Sequence, residues 1–408
     1  MNMIITPTKL KGQITPPPSK SQAHRCLIAA ALADGVSVLS NMDRCADVEA
    51  TLRCLAELGA EFSWEDRTLT VTGMAANEMS PLRRMAIPHL DCGESASTLR
   101  FLIPVALAVR GGGVFTGRGR LMERPLQPYF DLFAEKNISY ELRGDTLTVR
   151  GQLAPGEFRL PGDVSSQFFT GLMFALPLLG GDSRISLTSP LESGDYVEMT
   201  REALCDAGVL TQAGTIPGRQ TYRPFRKAIE ADWSQAALFY AAHGLGSELL
   251  IDGLNPFSLQ GDTRIVPYYV ELCSAEEDVV LEVSQCPDLF PALALLGAVR
   301  EGKTTHLGGG ARLRMKECDR IAAVSRVLTD MGVTVEQFTD GISTVGVKTL
   351  KGDVSVDCCG DHRIAMMAAM AATRADGPVT VLGAECVNKS YPAFWEEYKR
   401  LGGILEAR

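Results

Sequence analysis

The 408-residue chain has no excess of positive charge: 40 Lys and Arg stand against 49 Asp and Glu, for a formal net charge of −9. Nucleic acids and anionic membrane surfaces select a basic footprint, so a general partner of either kind is not expected and any anion site must be local. No uninterrupted apolar run reaches the ~18 residues of a membrane span, and the opening MNMIITPTKLKG carries neither an apolar h-region nor a small-residue cleavage signal. A cytoplasmic location is expected. Eleven cysteines are odd in number and contain no C-x-x-C pair, which points away from a disulfide framework or a zinc ribbon. Cys358 and Cys359 are adjacent and open to oxidation, but the favoured reading is that they are packed thiols, small buried hydrophobes like the rest. The five histidines form no H-E-x-x-H arrangement, so no protein metal cage is expected.

What the chain does have is repetition. Six times a short polar segment with Ser, Asp, Glu or Gly runs into an Ala/Leu/Met-rich stretch, then a Gly turn, then a β-branched run, beginning near Ser19, Asp91, Gly162, Glu230, Pro287 and Gly360. Ser and Asp suit helix N-caps and Gly suits the turn after a last helical residue, so each pass reads as capped helix, stop and strand. The starts recur at roughly 55 to 75 residues, which is too long for a solenoid unit and long enough for a βα block. With 46% hydrophobic and 22% charged residues the composition is that of an ordinary α/β protein, and two lobes of three blocks are the simplest packing. Residues 210–230 are polar, contain Pro217, Gly218 and Pro224, lack sustained periodicity, and read as the crossing between lobes. Further helices are expected over 47–58 and 320–331, each ending at a glycine.

The helix starts carry the chemistry. The first N–H groups of a helix lack intrahelical partners and the macrodipole places about half a positive charge there, so a start that also carries Lys or Arg is an anion site. Lys20 and Arg25, Arg100, and His362 with Arg363 supply cations, the Gly162 pass supplies the run Ser165, Ser166, Gln167, and the other two starts carry Asp232 and Asp288. One motif is a decoy. Residues 297–304 satisfy G-x-x-x-x-G-K-[ST], but a working phosphate loop runs from strand to helix, and here an apolar helical stretch precedes an extended one.

In unbroken order from Lys20 to Lys389, the segments PPPSKSQAHR, GESASTLRF, MERP, GDVSSQF, SGDY, PDLFPALA, RMKECDR, GDHRIAM and NKSYPAFW closely resemble the 5-enolpyruvylshikimate-3-phosphate synthase family. The resemblance implies an α/β fold of two similar lobes, each of three βαβαββ units in an inside-out barrel, with helix N-termini facing the cleft between lobes. It places residues 14–226 in an N-terminal lobe holding most of the shikimate 3-phosphate site and 227–408 in a C-terminal lobe joined by 1–13. It implies transfer of the enolpyruvyl group of phosphoenolpyruvate to the 5-hydroxyl of shikimate 3-phosphate with release of phosphate, through a tetrahedral intermediate, with no cofactor and no metal. A monomer with small-molecule substrates, without nucleic acid or membrane partners, is expected.

By the same resemblance, phosphoenolpyruvate is held by Lys20, Arg100, Arg124, Gln167, Arg320, Arg363 and Lys389. Guanidinium forks match carboxylate and phosphate oxygens in pairs, while Lys supplies a compact rotatable donor. Shikimate 3-phosphate is assigned to Lys20, Ser21, Arg25, Ser165, Ser166, Gln167, Ser193, Tyr196, Asp288 and Lys316, with Arg25 at its carboxylate. Asp288 is the expected base for the 5-hydroxyl and Glu317 the group for proton transfer at the methylene carbon, with Lys20 and Lys389 assisting as acids. From spacing alone, Asp288 and Ser165–Ser166 read equally well as helix caps, and Glu317 with Arg320 as a surface i, i+3 pair. Ala96 stands where the family commonly has Gly, so it is expected to shorten the phosphoenolpyruvate pocket against the longer inhibitor glyphosate. Arg312 stands where many relatives carry an amide. Two other readings compete. A related transferase acting on a UDP-amino sugar (UDP-N-acetylglucosamine) usually has a loop cysteine, which GGGVFTGRGRLMERP lacks. A non-catalytic repeat scaffold would use the same starts as plain caps.

Overall fold

The computed structural model describes residues 1–77, 86–212 and 214–408. The chain forms two compact units, one of Pro18–Glu230 and the other of Met1–Pro17 with Ala231–Arg408. Both crossings fall four residues beyond the expected 14 and 227.

In the Pro18–Glu230 unit the described helices are α1 (Lys20–Leu32), α2 (Ala46–Leu58), α3 (Ala96–Arg110), α4 (Gln127–Lys136), α5 (Gln167–Ala175) and α6 (Asp195–Asp206). Capping follows the sequence pattern: Ser19 Oγ accepts from Gln22 N at 3.3 Å and Ser95 Oγ from Thr98 N at 3.2 Å. Residues of α3 from Thr98 to Leu107 are all buried, as expected of a helix that is apolar on every side. Helix α5 lies close against it because Gly171 has no side chain; a Cβ there would collide with Tyr129 Oη and Arg100 O. Three sheets surround these helices, and one pattern recurs in them: a parallel pair continued by an antiparallel strand. Their strand orders are Arg226–Ala228, Val36–Ser40, Thr68–Thr72, Glu61–Glu65; then His89–Asp91, Gly112–Thr116, Thr146–Arg150, Ser139–Arg143; then Glu157–Leu160, Ser183–Leu187, Thr215–Ile216.

The segment 210–230, read as the crossing, ends at the boundary between units and contains two short strands, Thr215–Ile216 and Arg226–Ala228. Arg226–Ala228 pairs in parallel with Val36–Ser40, so this stretch completes the first sheet of its unit instead of leaving it. Local periodicity cannot show a three-residue strand whose partner is supplied by a distant segment.

The second unit contains α7 (Trp233–Gly244), α8 (Ile265–Ser274), α9 (Phe290–Gly297), α10 (Arg320–Asp330), α11 (His362–Ala372) and α12 (Phe394–Arg400). Helices α7, α9 and α11 pack on one another, and all eleven residues of α11 are buried. The same parallel-then-antiparallel order appears in Val279–Glu282, Thr304–Gly308, Ile342–Val345, Thr334–Gln337 and in Val354–Asp357, Val379–Leu382, Asn2–Thr6, Ile404–Ala407. Glu248–Ile251 pairs in parallel with Lys11–Ile14, which ties the chain start into this unit. The phosphate-loop decoy lies at the end of α9 and leads into the strand Thr304–Gly308, so the order is helix to strand. No described helix is long and apolar enough to cross a membrane.

Candidate active site

In the second unit the expected residues meet on one guanidinium. Arg320, the first residue of α10, is almost wholly buried and donates from Nη1 to Asp288 Oδ1 at 2.8 Å, from Nη2 to Glu317 Oε2 at 2.8 Å and from Nε to Asp361 Oδ2 at 2.7 Å. Arg363, in the first turn of α11, donates from Nη2 to Asp288 Oδ2 at 3.0 Å and to Ser234 Oγ at 2.9 Å. Lys316 Nζ lies 3.7 Å from Asp288 Oδ1 and Lys389 Nζ 4.0 Å from Glu317 Oε1. Asp288, Glu317, Lys316, Arg320, Arg363 and Lys389 thus form one charge cluster.

Electrostatics sets the state of Asp288. Burial alone would raise its carboxyl, but Arg363 first, then Lys316 and Arg320, outweigh burial and hold it well below the usual carboxylate range. It is ionised at neutral pH and able to accept a proton. Burial likewise acts against the charge on Arg320, yet Asp361, Glu317 and Asp288 hold its pKa above the ordinary value.

Two of the three structural readings left open by the sequence, those for Asp288 and Glu317, fail here. Asp288 caps no helix: it sits in the 3-10 turn Pro287–Leu289 with its side chain on the two arginines. The Glu317–Arg320 pair is not a surface pair, because its side chains are 12% and 2% exposed. Asp361, which sequence reasoning passed over, accepts from Arg320 and caps α11 by accepting from Arg363 N at 2.9 Å. Its position before HR was a legible cap signal; its grip on Arg320 was not. Asp232 acts as a cap for α7, accepting from Ser234 N and Gln235 N, and its Oδ1 also receives the Ser234 hydroxyl at 2.6 Å, which orients that oxygen toward Arg363.

The Pro18–Glu230 unit holds the other expected residues. Lys20 Nζ is 2.8 Å from Asp47 Oδ2, a partner hidden in the first turn of an ordinary amphipathic helix. Arg100 donates to Gln167 Oε1 at 2.9 Å and to Pro125 O at 2.7 Å, and its guanidinium lies over the Phe168 ring. Gln167 Nε2 donates to Ser97 Oγ at 3.0 Å. Ser165 Oγ accepts from Gln167 N at 3.3 Å, whereas Ser166 makes no side-chain capping bond, so the shared capping expectation narrows to Ser165. Arg124 closes the 3-10 turn Leu121–Glu123, and Ser21 follows Lys20 in the first turn of α1. Buried Ser193 has a left-handed φ of 54°, which a serine adopts at a cost, just before Tyr196 in α6. Ala96 opens α3 and is buried. In the second unit, Arg312 donates to Ser284 O at 2.6 Å.

Arg25 lies in the first of these units, in helix α1. It is 2% exposed and its described partners are neutral: Nε donates to Tyr196 O at 3.2 Å and Thr200 Oγ1 at 3.0 Å, Nη1 to Ser21 O at 2.7 Å and Nη2 to Thr170 Oγ1 at 3.5 Å. Its charge sits between the Phe101 and Tyr196 rings, and burial pushes its pKa down to about 10. A buried cation without a carboxylate among its described partners carries a desolvation cost that those partners offset only in part.

Within the second unit, buried cations beside an ionised carboxylate, built on capped helix starts, suit anionic small molecules with acid–base chemistry at hand. Comparison with known proteins identifies the kind. The sequence model of the family "EPSP synthase (3-phosphoshikimate 1-carboxyvinyltransferase)" matches residues 4–398. A 3-phosphoshikimate 1-carboxyvinyltransferase of Clostridium beijerinckii is 40% identical over 428 aligned positions, covering 99% of this chain and 98% of that protein. Another from Clostridium kluyveri is 42% identical over 423, covering 98% and 97%. The solved structure of EPSP synthase from Acinetobacter baumannii has the same fold, with a TM-score of 0.79, 24% identity and full coverage of both chains. The chain belongs to the EPSP synthase family.

Burying a cation without a counter-ion costs folding free energy by desolvation, a cost that an apolar side chain of similar volume does not carry. Arg25→Met is therefore expected to leave the urea midpoint unchanged or raised; a loss above about 2 kcal/mol would show Arg25 to be a structural strut.

Proposed function

We infer that the chain transfers the enolpyruvyl group of phosphoenolpyruvate to the 5-hydroxyl of shikimate 3-phosphate, releasing phosphate, a step of chorismate and aromatic amino-acid biosynthesis. The observation that carries this reading is the Arg320 cluster, in which one buried guanidinium holds Asp288 and Glu317 at 2.8 Å each.

Asp288 takes the proton of the 5-hydroxyl as that oxygen bonds to the central carbon of phosphoenolpyruvate, while Glu317 delivers a proton to the methylene carbon. The same carbon then loses a proton as phosphate leaves the tetrahedral intermediate. The low pKa of Asp288 ensures ionisation but makes it a weak base. Arg363 and Lys316 are its strongest charge partners, and both are also assigned to substrate anions. Substrate phosphate and carboxylate groups compete for those cations and lift Asp288 toward a useful basicity. Lys20 and Lys389 assist as acids.

Phosphoenolpyruvate is assigned to Lys20, Arg100, Arg124 and Gln167 from one unit and Arg320, Arg363 and Lys389 from the other. Shikimate 3-phosphate takes Lys20, Ser21, Arg25, Ser165, Ser166, Gln167, Ser193 and Tyr196, with Asp288 and Lys316. The support for Arg25 at the carboxylate is its lack of a described protein counter-ion. We propose a cytoplasmic monomer without nucleic-acid or membrane partners, supported by the net charge of −9.

Phosphate release from phosphoenolpyruvate should require shikimate 3-phosphate and should not occur with UDP-N-acetylglucosamine as acceptor. Asp288→Asn and Glu317→Gln should each lower kcat by about 10²- to 10⁴-fold. Release with the sugar nucleotide, or a near-normal kcat in both variants, would refute the reading.

Ala96 adds one methyl group to a close-packed helix start. Ala96→Gly should tighten glyphosate inhibition while leaving the KM for phosphoenolpyruvate little changed, and an unaltered inhibition curve would remove Ala96 from the pocket wall.

A further inference from the structure

We propose that Cys358 and Cys386 form an oxidisable thiol pair, a modification site at which a low-molecular-weight disulfide closes a protein disulfide and reversibly inhibits the enzyme. The regulatory half of this rests on the placement of Lys389 and Arg363 at phosphoenolpyruvate.

The geometry is built by the backbone. Strands Val354–Asp357 and Val379–Leu382 run parallel with Asp357 opposite Leu382, so Cys358 and Gly383 leave the sheet side by side. Gly383 has a left-handed φ of 71°, a conformation suited to glycine, and it turns the chain into the 3-10 segment Ala384–Lys389. Cys386 N then donates to Gly383 O at 3.1 Å, and this turn brings Cys386 back over its neighbour. The two Sγ atoms lie 3.4 Å apart. Even a Cβ on Gly383 would lie only 3.3 Å from Cys358 Sγ, so the absent side chain leaves the sulfur its room. Cys359, the neighbour in sequence, instead accepts a hydrogen bond from Arg326 Nη2 at 3.2 Å. The adjacent pair noted in the sequence is thus not the pair the fold has built.

Access and acidity agree with this geometry. Cys386 is only partly buried, whereas Cys26, Cys45, Cys54 and Cys92 are buried. Burial pushes Cys26 and Cys45 up to about 12, while the hydrogen bond from Cys386, aided by the Gly360 amide, holds Cys358 below the ordinary thiol value against its own burial. The Cys386 thiol is raised by the same hydrogen bond and by burial, so Cys358 is the more acidic sulfur of the pair. Cys386 attacks one sulfur of an external disulfide RSSR, whose S–S bond breaks; a mixed disulfide forms, and the departing RS⁻ takes up the Cys386 proton as RSH. Cys358 then loses its proton to solvent and attacks the Cys386 sulfur. This breaks the mixed disulfide, closes the ring and expels the second RS⁻, which takes a proton from solvent. The protein loses two protons and two electrons, and RSSR becomes two RSH.

The consequence reaches the charge cluster from two directions. Cys386 is three residues before Lys389 in one 3-10 turn, and Cys358 is three before Asp361, which grips Arg320 and caps the helix bearing Arg363. Closing 3.4 Å to a disulfide of about 2.05 Å draws the two sulfurs together by more than 1 Å and pulls on both segments, and displacements of about 1 Å at a reacting centre can cost roughly 10²-fold in rate.

The test treats the full chain with oxidised glutathione, blocks remaining thiols and digests with trypsin, followed by mass spectrometry and a phosphate-release assay. The proposal expects peptides 352–363 and 375–389 joined with loss of two hydrogens, in the parent protein and in Cys359→Ser. Activity should fall about tenfold or more and return with dithiothreitol. Cys386→Ser and Cys358→Ser should keep the reduced activity and resist oxidation; either variant suffices if the other folds poorly. A Cys358–Cys359 link, glutathione adducts alone, or a joined peptide with unchanged turnover would overturn the proposal. Reduced protein that releases no phosphate would strike the catalytic reading alone, because the joined mass reports the thiol pair without turnover.

Discussion

Arg320 is the constraint on which the second unit's chemistry depends. A guanidinium offers five N–H donors in a fixed plane, and here that plane is divided among Asp288, Glu317 and Asp361. Each carboxylate comes from a different place: a 3-10 turn before α9, the residues leading into α10, and the cap of α11. A single buried charge therefore sets the distance between the two groups assigned to acid and base work and couples them to the helix that carries Arg363. A lysine could satisfy one of these directions but not all three.

The two units solve the problem of buried charge in opposite ways. Around Arg320 the charges are balanced internally, so the cluster can form before any ligand arrives, and its desolvation is offset by close ion pairs. Around Arg25 the described partners are hydroxyls, carbonyls and ring faces, so the positive charge is left uncompensated by the protein. The first arrangement preserves catalytic geometry. The second leaves the desolvation cost of a buried charge offset only by neutral dipoles and ring faces.

Much of this was legible because capping is local. Ser19, Ser95, Asp232 and Asp361 announce their helices within three residues, and the starts at Ser19, Ser95 and Asp361 are where the cations collect. The Ala/Leu/Met runs announced buried helices, and the strand-like runs announced the sheets. Where partners are far apart in the chain the signal vanished. Arg226–Ala228 is a strand only because Val36–Ser40 lies beside it, and nothing in RKA declares that pairing. Asp288 looked like a cap since a carboxylate before an apolar helix usually is one; its true partners arrive from α10 and α11. Cys386 gave no cue of its proximity to Cys358, which only the left-handed turn at Gly383 creates.

The most direct measurement is steady-state phosphate release by Arg320→Lys at saturating phosphoenolpyruvate and shikimate 3-phosphate, alongside its urea midpoint. The account predicts a folded protein whose kcat falls about 10²-fold or more, since Lys keeps the charge but loses the fork that sets Asp288 against Glu317. A folded variant with parental kcat would contradict it.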